Sequence, residues 1–395
     1  MKIAINASFL RKQGTGLGQV TANFLQKLIE LESIKIKAGK VKKTEFVLYL
    51  EEDLELNLPK DAASSAVKFR KKVFLPPYKR DDLLRKIWWE KFLLPKKVAQ
   101  DKCDVLLSLY QSTTVVSSKK IKHLMVVHDL IPKLFPTYLS NWRKKLYQNL
   151  VEKAIRKTDR IIAISHRTEK DLIKHLGIAP EKITVSYIDV DERYKTIAGR
   201  IDSRRVLQKY NLQAGYIYSG GGLEVRKNVE SVLLAYKILL ESHKQGRKIP
   251  KLVISGKLLP QLAPLVTDVE KLIVELGLQN EVVVLDYVPQ VDLPGLYRNA
   301  LVFVYPSHYE GFGLPILEAM NQGTAVITAK TSSLPEVGSD SVLYCDPSDP
   351  ADLAMVLKNV LCHPHLQAAL SLKGKERAKH FAWEKFVMKV LNVIR

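Results

Sequence analysis

The stretch YPSHYEGFGLPILEAMNQG, residues 305–323, decides how the chain is to be read. The apolar run Ala300 to Tyr305 before it has the length and content of a buried strand, and Pro306 ends it. A glycine-rich turn follows. Leu314 to Gln322 then reads as a short helix, with Pro315 near its first position and Gly323 as its stop. Glu310 falls on the loop before this helix and Glu318 about one turn inside it, so both carboxylates can face one ligand. Gly311 and Gly313 allow close backbone approach, and the N–H groups of a helix start attract an anionic or hydroxyl-rich partner. A carboxylate suits paired sugar or ribose hydroxyls because it accepts two hydrogen bonds at once.

Other motifs lie on either side of this stretch. In YSGGGLEVRKNVESVLLAY (218–236), Gly220, Gly221 and Gly222 permit a tight turn after a strand, while Arg226 and Lys227 sit near a helix start. Cations there oppose the helix dipole, so stability does not explain them, whereas a bound diphosphate does. GTGLGQVTANFLQKL (14–28) is a glycine-rich turn after the first strand. It reads G-x-G-x-G rather than the dinucleotide fingerprint, and no acid ends a second strand about 20 positions on. His128, in HLMVVHDLIPKLFP (123–136), closes a strand at its carboxyl end, the side where α/β sheets bind ligands. Its expected work is orientation or transition-state hydrogen bonding, ahead of general-base duty.

Together the two acids in EGFGLPILEAM, the following G-x-x-V-I and S-x-L-P-E-V, the E-x-R-K-N segment and H-D-L-I-P resemble the donor-site signature of glycosyltransferase family four. That resemblance implies a retaining enzyme of the glycosyltransferase-B architecture. It implies that Glu310 faces the donor sugar and Glu318 holds the nucleotide ribose. Arg226 and Lys227, where Val225 replaces the family's usual proline, would neutralise the donor diphosphate. Gly16 would approach the phosphate, and His128 would lie beside the donor sugar and the acceptor. It extends the donor site over Gly311, Phe312, Gly313 and Leu314. The wording is closer to bacterial mannosyltransferases than to glucosyltransferases, which gives GDP-mannose a slight preference over UDP-glucose.

The rest of the chain sets bounds. At 395 residues there is room for two cores. The N-terminal half alternates short β-branched strands with helical patterns at Gln19–Glu32, Asp81–Lys97 and Trp142–Thr158. The rhythm lapses and restarts at GYIYSGG. The expected fold is α/β: two facing doubly wound parallel-sheet (Rossmann-like) domains. Residues 1–195 form an acceptor-side domain, 196–213 a linker and 214–375 a nucleotide-sugar donor domain. Residues 376–395 are a terminal helix packing back toward the first domain. Cys103, Cys345 and Cys362 show neither close pairing nor metal spacing, as in a protein of a reducing compartment. No apolar run approaches the roughly 20 residues of a membrane span.

Charge is uneven. Residues 1–200 carry +18 and residues 201–395 carry +3, making up the +21 of the whole. Its densest cluster, KFRKKVFLPPYKRDDLLRKIWWEKFLLPKK (68–97), mixes cations with Trp88 and Trp89. Such a mixture suits an anionic membrane surface, although the tryptophan pair is expected in the core, with the cations functional. The expected location is therefore cytoplasmic, peripheral at the inner membrane face. No nucleic acid is expected, because the chain lacks a reader module. Asp189-Val190-Asp191 spells D-x-D, a metal signature of another glycosyltransferase fold, but no second acidic cluster supports it. The expectation is a metal-free site with no cofactor, the nucleotide sugar being a co-substrate. A non-catalytic sugar-nucleotide or glycan-binding relative and a nucleotide-sugar epimerase of the same fold are the rival readings.

Overall fold

A computed structural model of the chain describes residues 1–12, 14–37, 43–56, 58, 67–76, 80–196, 199–242 and 249–394. Two compact units divide it: Met1–Ile188 with Ala382–Arg395, and Asp189–Phe381.

The first unit is built on a 7-stranded parallel sheet. In chain order its strands are β1 (Lys2–Asn6), β2 (Thr44–Leu50), β3 (Val67–Val73), β4 (Val105–Ser108), β5 (Lys122–Val127), β6 (Arg160–Ala163) and β7 (Ile183–Val185). They lie in the order β3-β2-β1-β4-β5-β6-β7. The central strands are unbroken apolar runs because helices cover both faces. Met125 and Ile161 pack with Leu172 in one cluster, and Ala4 and Leu106 pack with Trp89 in another. The last helix, Trp383–Ile394, belongs to this unit, burying Trp383, Phe386, Val390 and Ile394. Phe386 meets Phe24 edge-on at 6.0 Å between ring centres.

The second unit carries a 6-stranded parallel sheet: β8 (Tyr216–Ser219), β9 (Leu252–Ser255), β10 (Val282–Leu285), β11 (Ala300–Tyr305), β12 (Ala325–Ala329) and β13 (Leu343–Cys345), ordered β10-β9-β8-β11-β12-β13. In both sheets the order reverses at one point, between β1 and β4 and between β8 and β11. Ligands of open parallel sheets bind beyond the carboxyl ends of the strands at such a point. The loop after β8 begins at Gly220, and the loop after β11 carries Glu310.

Three segments differ from expectation. Residues 196–213, expected as a linker, contain the helix Gly199–Lys209, whose Val206 is buried. A Cβ on Gly295 would lie 2.8 Å from Val206, so glycine lets this helix seat closely on Leu293–Asn299. The cationic stretch Lys68–Val73 is the edge strand β3. Its Arg70 pairs with Glu45 (3.3 Å), Lys71 with Asp53 (2.5 Å) and Lys72 with Asp101 (2.5 Å). Charged side chains on an edge discourage pairing with another chain. Lastly, the tryptophan pair splits. Trp89 is buried, stacked on Phe74 at 5.2 Å, and donates Nε1–H to the Phe74 carbonyl (3.1 Å). Trp88 is 47% exposed. The expected helix over 81–97 is two α-helical stretches, Asp82–Trp88 and Leu94–Gln100, around a π-helical turn, Trp89–Leu93.

Candidate active site

The helix Leu314–Gln322 has the bounds its sequence announces, with Pro315 in its first turn and Gly323 in the left-handed region at φ 76°. Gly313 caps its start at φ 114°, where a side chain would be strained and a Cβ would lie 2.9 Å from Leu334. Glu310 stands before this start, 9% exposed. Its backbone is pinned by Ser332, which accepts the Glu310 N–H (2.9 Å), and by Ser333, which donates to the Glu310 carbonyl (2.8 Å).

Three side chains converge on one Glu310 oxygen, Oε1: Arg226 Nη1 at 2.6 Å, Tyr305 Oη at 2.6 Å and Ser307 Oγ at 3.0 Å. Burial pushes this carboxyl up, but Arg226 and Lys227, with the hydrogen bonds from Tyr305 and Ser307, outweigh it and hold the group below the usual carboxylate range. The arrangement aims a charged carboxylate in one direction, with Oε2 outside the triple contact.

Arg226 and Lys227 occupy a short 3-10 turn, Val225–Lys227, ahead of the helix Val229–Ser242. Arg226 faces Glu310 and also donates to the Tyr309 carbonyl (2.9 Å). Lys227 donates to the Gly221 carbonyl, lies 3.6 Å from Glu224 and stands 6.0 Å from the centre of the Tyr305 ring. Gly221 (φ 97°) and Gly222 (φ 115°) adopt the left-handed conformation, so glycine is required for this loop. Asn228, also left-handed at φ 62°, ties the turn to two distant loops by donating to the carbonyls of Pro306 (3.2 Å) and Pro347 (2.6 Å).

Glu318 is 8% exposed and accepts from Tyr297 Oη at 2.8 Å, with Tyr194 as a second hydrogen-bonding partner. Burial raises its pKa to about 7, opposed by the two tyrosines and Lys227. The positive charge of Lys227 is thus felt by both acids. Phe312 points into the core, edge-on to Phe381 at 5.7 Å, so it offers the site backbone only. Gly311 is buried beside it and Leu314 half-buried.

On the first unit, His128 follows β5 and is buried. Its Nε2 lies 2.8 Å from the Leu109 carbonyl. A carbonyl only accepts, so Nε2 carries the proton and Nδ1 presents a lone pair. Burial pushes the pKa down to about 4, keeping the ring neutral at ordinary pH. It is built to accept a hydrogen bond. Gly16 opens the helix Gly16–Lys37, and a Cβ there would meet nothing within 4 Å, so packing does not explain the glycine. Asp189 pairs with Lys195 and accepts the Val190 N–H (2.8 Å), while Asp191 pairs with Arg193 (2.8 Å). Among the described residues no cluster of three or more His, Cys, Asp or Glu could hold a metal ion.

Tyr305, Ser307, Tyr297 and Tyr194 were not foreseen as site residues. Their hydroxyls can be placed only once β11 and its neighbours have coordinates, although Tyr305 and Ser307 already stand in the opening motif.

Two doubly wound parallel sheets with these loops at the carboxyl ends are the glycosyltransferase-B class of fold. The structure of the lipopolysaccharide glycosyltransferase WaaG superposes with a TM-score of 0.68 at 16% identity, covering 100% of this chain and 99% of that one. Anabaena Alr3699/HepE in complex with UDP-glucose gives 0.66 at 18% identity, covering 100% of each. A family model described as "Glycosyltransferase Family 4" matches residues 55–192, and one described as "Glycosyl transferases group 1" matches residues 201–377. The O-antigen chain mannosyltransferase B of Escherichia coli is 31% identical over 270 residues, 68% of each chain. The serotype-specific mannosyltransferase WbdA of Escherichia coli is 31% identical over 270 residues, 66% of this chain but 32% of that longer one. The chain belongs to glycosyltransferase family four, and it is a glycosyltransferase. Among the described residues no helix is long and apolar enough to cross a membrane.

Proposed function

We propose that this enzyme moves a hexose, with retention of configuration, from a nucleotide diphosphate sugar to a hydroxyl of a glycan or lipid-linked acceptor in polysaccharide assembly. The observation that carries this reading is the convergence of Arg226, Tyr305 and Ser307 on one oxygen of Glu310 at the switch point of the second sheet. It leaves a fixed, charged carboxylate beside a helix start and Lys227. The carboxylate stabilises positive character on the transferring sugar. Lys227 and the positive end of the helix Leu314–Gln322 stabilise charge building on the departing diphosphate. Glu318 holds the ribose, and His128 accepts a hydrogen bond from a substrate hydroxyl. Departure and attack on one face of the sugar, through an oxocarbenium-like transition state, is the mechanism that membership of the family favours. The mannosyltransferase names of the relatives favour GDP-mannose over UDP-glucose as donor. In a thermal-shift comparison, GDP-mannose should raise the melting temperature more than UDP-glucose, because only a ligand of the folded state stabilises it. Lys227→Ala should diminish the shift with GDP far more than with guanosine. Equal shifts in parent and variant would remove Lys227 from the donor site.

The reaction needs no metal and no cofactor on this reading. Asp189 and Asp191 already have their own cations, Lys195 and Arg193. Transfer should survive excess chelator. Abolition with rescue by manganese would return these two acids to the site.

An anionic membrane surface is the proposed docking partner of residues 68–97, with a changed balance of forces. Arg70, Lys71 and Lys72 of β3 are paired, whereas Trp88 and Phe92 (54% exposed), their rings 5.9 Å apart, project with Leu84 from one helical face. Lys79, one of the cations of this stretch, lies outside the described residues. Cations near such a leaflet contribute roughly 1 kcal/mol each, and exposed indoles sit at headgroup level. The double variant Trp88→Glu, Phe92→Glu should lose cosedimentation with phosphatidylglycerol liposomes while keeping donor binding. Equal binding to neutral vesicles would defeat the proposal.

A further inference from the structure

A second polar cluster lies in the first unit, at the switch point of its own sheet, and the reaction described above does not use it. Its centre is Glu90, fully buried on the π-helical turn Trp89–Leu93. Oε1 accepts from Tyr110 Oη (2.9 Å). Oε2 accepts the Thr113 N–H (2.9 Å), the Thr113 hydroxyl (3.1 Å) and Tyr147 Oη (3.3 Å), and the Glu90 carbonyl accepts from Thr114 Oγ1 (2.9 Å). Lys86 Nζ stands 3.7 Å from Oε1 and faces the rings of Phe9 (4.9 Å), Tyr110 (5.4 Å) and Tyr147 (4.7 Å). A fully buried acid with a half-buried lysine beside it is a costly arrangement for a fold to keep unless its hydrogen bonds are satisfied.

The residues it holds form one continuous loop. Leu109 to Thr114 follows β4, and Glu90 grips it at Tyr110, Thr113 and Thr114. The same loop holds the His128 ring and amide: the Leu109 carbonyl accepts Nε2–H (2.8 Å), and Gln111 Oε1 accepts the His128 N–H (3.1 Å). Gln111 also donates to the Asp129 carbonyl (3.3 Å). Tyr110 reaches across the switch point as well, accepting from Asn6 Nδ2 (3.1 Å) and meeting Ser8 Oγ (2.9 Å) at the end of β1. From there the chain runs through the 3-10 turn Ser8–Lys12 toward Gly16. A single carboxylate therefore clamps the loop whose carbonyl fixes the histidine.

We propose that Glu90 is a positioning residue that holds the Leu109–Thr114 loop so that His128 stays in the Nε2–H tautomer with Nδ1 directed outward. The proposal rests on the assignment of His128 to the reaction for its consequence, but not for its test. Glu90→Gln preserves shape but removes one acceptor: its amide nitrogen cannot accept from Tyr110 or from Thr113, so on the side it faces a contact is lost or a hydroxyl reversed, and the clamp is weakened. Misplacing a group by about 1 Å can cost as much as about a hundredfold in rate. The expected result is a tenfold to hundredfold fall in kcat, with donor KM changed by less than about twofold because Arg226, Lys227 and Glu318 lie in the second unit, away from this loop.

The deciding measurement is a long-range proton–nitrogen spectrum of the full chain labelled with 15N-histidine, without substrate. His128 is assigned by the signal lost in His128→Asn. His123, buried on β5 with Nε2 2.9 Å from Ser108 Oγ, is the internal control. In Glu90→Gln the His128 signal should leave the pure Nε2–H pattern while His123 keeps its own. An unchanged His128 spectrum overturns the proposal, and so does a parallel change at both histidines, which marks general loosening. Should Glu90→Gln fail to fold, Tyr110→Phe removes one strand of the clamp and decides the matter by the same spectrum. A changed tautomer with unchanged turnover supports the clamp and counts instead against the part given to His128.

Discussion

Glu310→Ala lowers transfer by at least about a hundredfold, the scale of losing one charge-stabilising group at a reacting centre. The alanine also removes the acceptor shared by Arg226, Tyr305 and Ser307: Arg226 keeps the Tyr309 carbonyl and Ser307 the carbonyls of Arg226 and Tyr309, whereas the buried Tyr305 hydroxyl loses its hydrogen bond. A buried polar group left without its partner costs roughly 1–3 kcal/mol. The alanine variant therefore melts lower as well. Glu310→Gln separates the two effects, since its amide oxygen can still accept from all three donors while the charge is gone. It should keep most of the stability and still lose most of the turnover. Initial rates at saturating donor, read beside melting curves, check both statements. Full turnover in either variant removes Glu310 from the reaction.

Glu318→Gln is expected to make the protein more stable and the enzyme worse. Buried Glu318 holds its proton up to about pH 7, against 4.5 for an ordinary glutamate. Between those values the native state binds a proton that the unfolded chain has released, so stability falls as pH rises through the window. Above pH 7 the whole cost of the buried charge is present. It amounts to as much as about 3 kcal/mol on a scale of 1.36 kcal/mol per tenfold. Glutamine escapes it while still accepting from Tyr297. Its melting temperature should exceed the parent's at pH 8, with the gap closing below about pH 4.5. Donor affinity moves the other way, falling by about 1.5–3 kcal/mol with the loss of a charged hydrogen bond to the ribose. In the parent that affinity should itself decline as pH drops below 7. A glutamine variant that binds donor normally, or that is less stable at every pH, would sink the assignment.

What the sequence made legible was local. Strand Ala300–Tyr305 and helix Leu314–Gln322 have the bounds that Pro, Gly and apolar period mark, whereas the terminal helix, expected over 376–395, is Trp383–Ile394, residues 376–378 closing the helix before it. Strand β3 was hidden because Arg70, Lys71 and Lys72 look like a solvated cationic run. Only the paired acids Glu45, Asp53 and Asp101, drawn from distant segments, reveal an edge strand. Gly199–Lys209 reads as linker because polar residues dominate it, and its packed side shows only in the burial of Val206 against Gly295. The two acids and two cations of the site were readable as chemistry. That Arg226 turns its guanidinium on Glu310, 84 residues away, was not, since no local pattern encodes such a contact. The tyrosines around Glu318 were equally silent: a buried aromatic reads as core until its hydroxyl has a neighbour.

The return of Trp383–Ile394 to the first unit sets an order of events on the ribosome. Residues 189–381 are contiguous and can complete their own sheet as soon as they emerge. The first unit, begun earlier, keeps an apolar seat around Phe24 uncovered until its final helix has been translated. At roughly 5–20 residues per second that interval is on the order of 10–40 s. The unit begun before the other is thus completed after it, and through that wait its exposed seat is where a holdase would bind or a nascent chain would go astray.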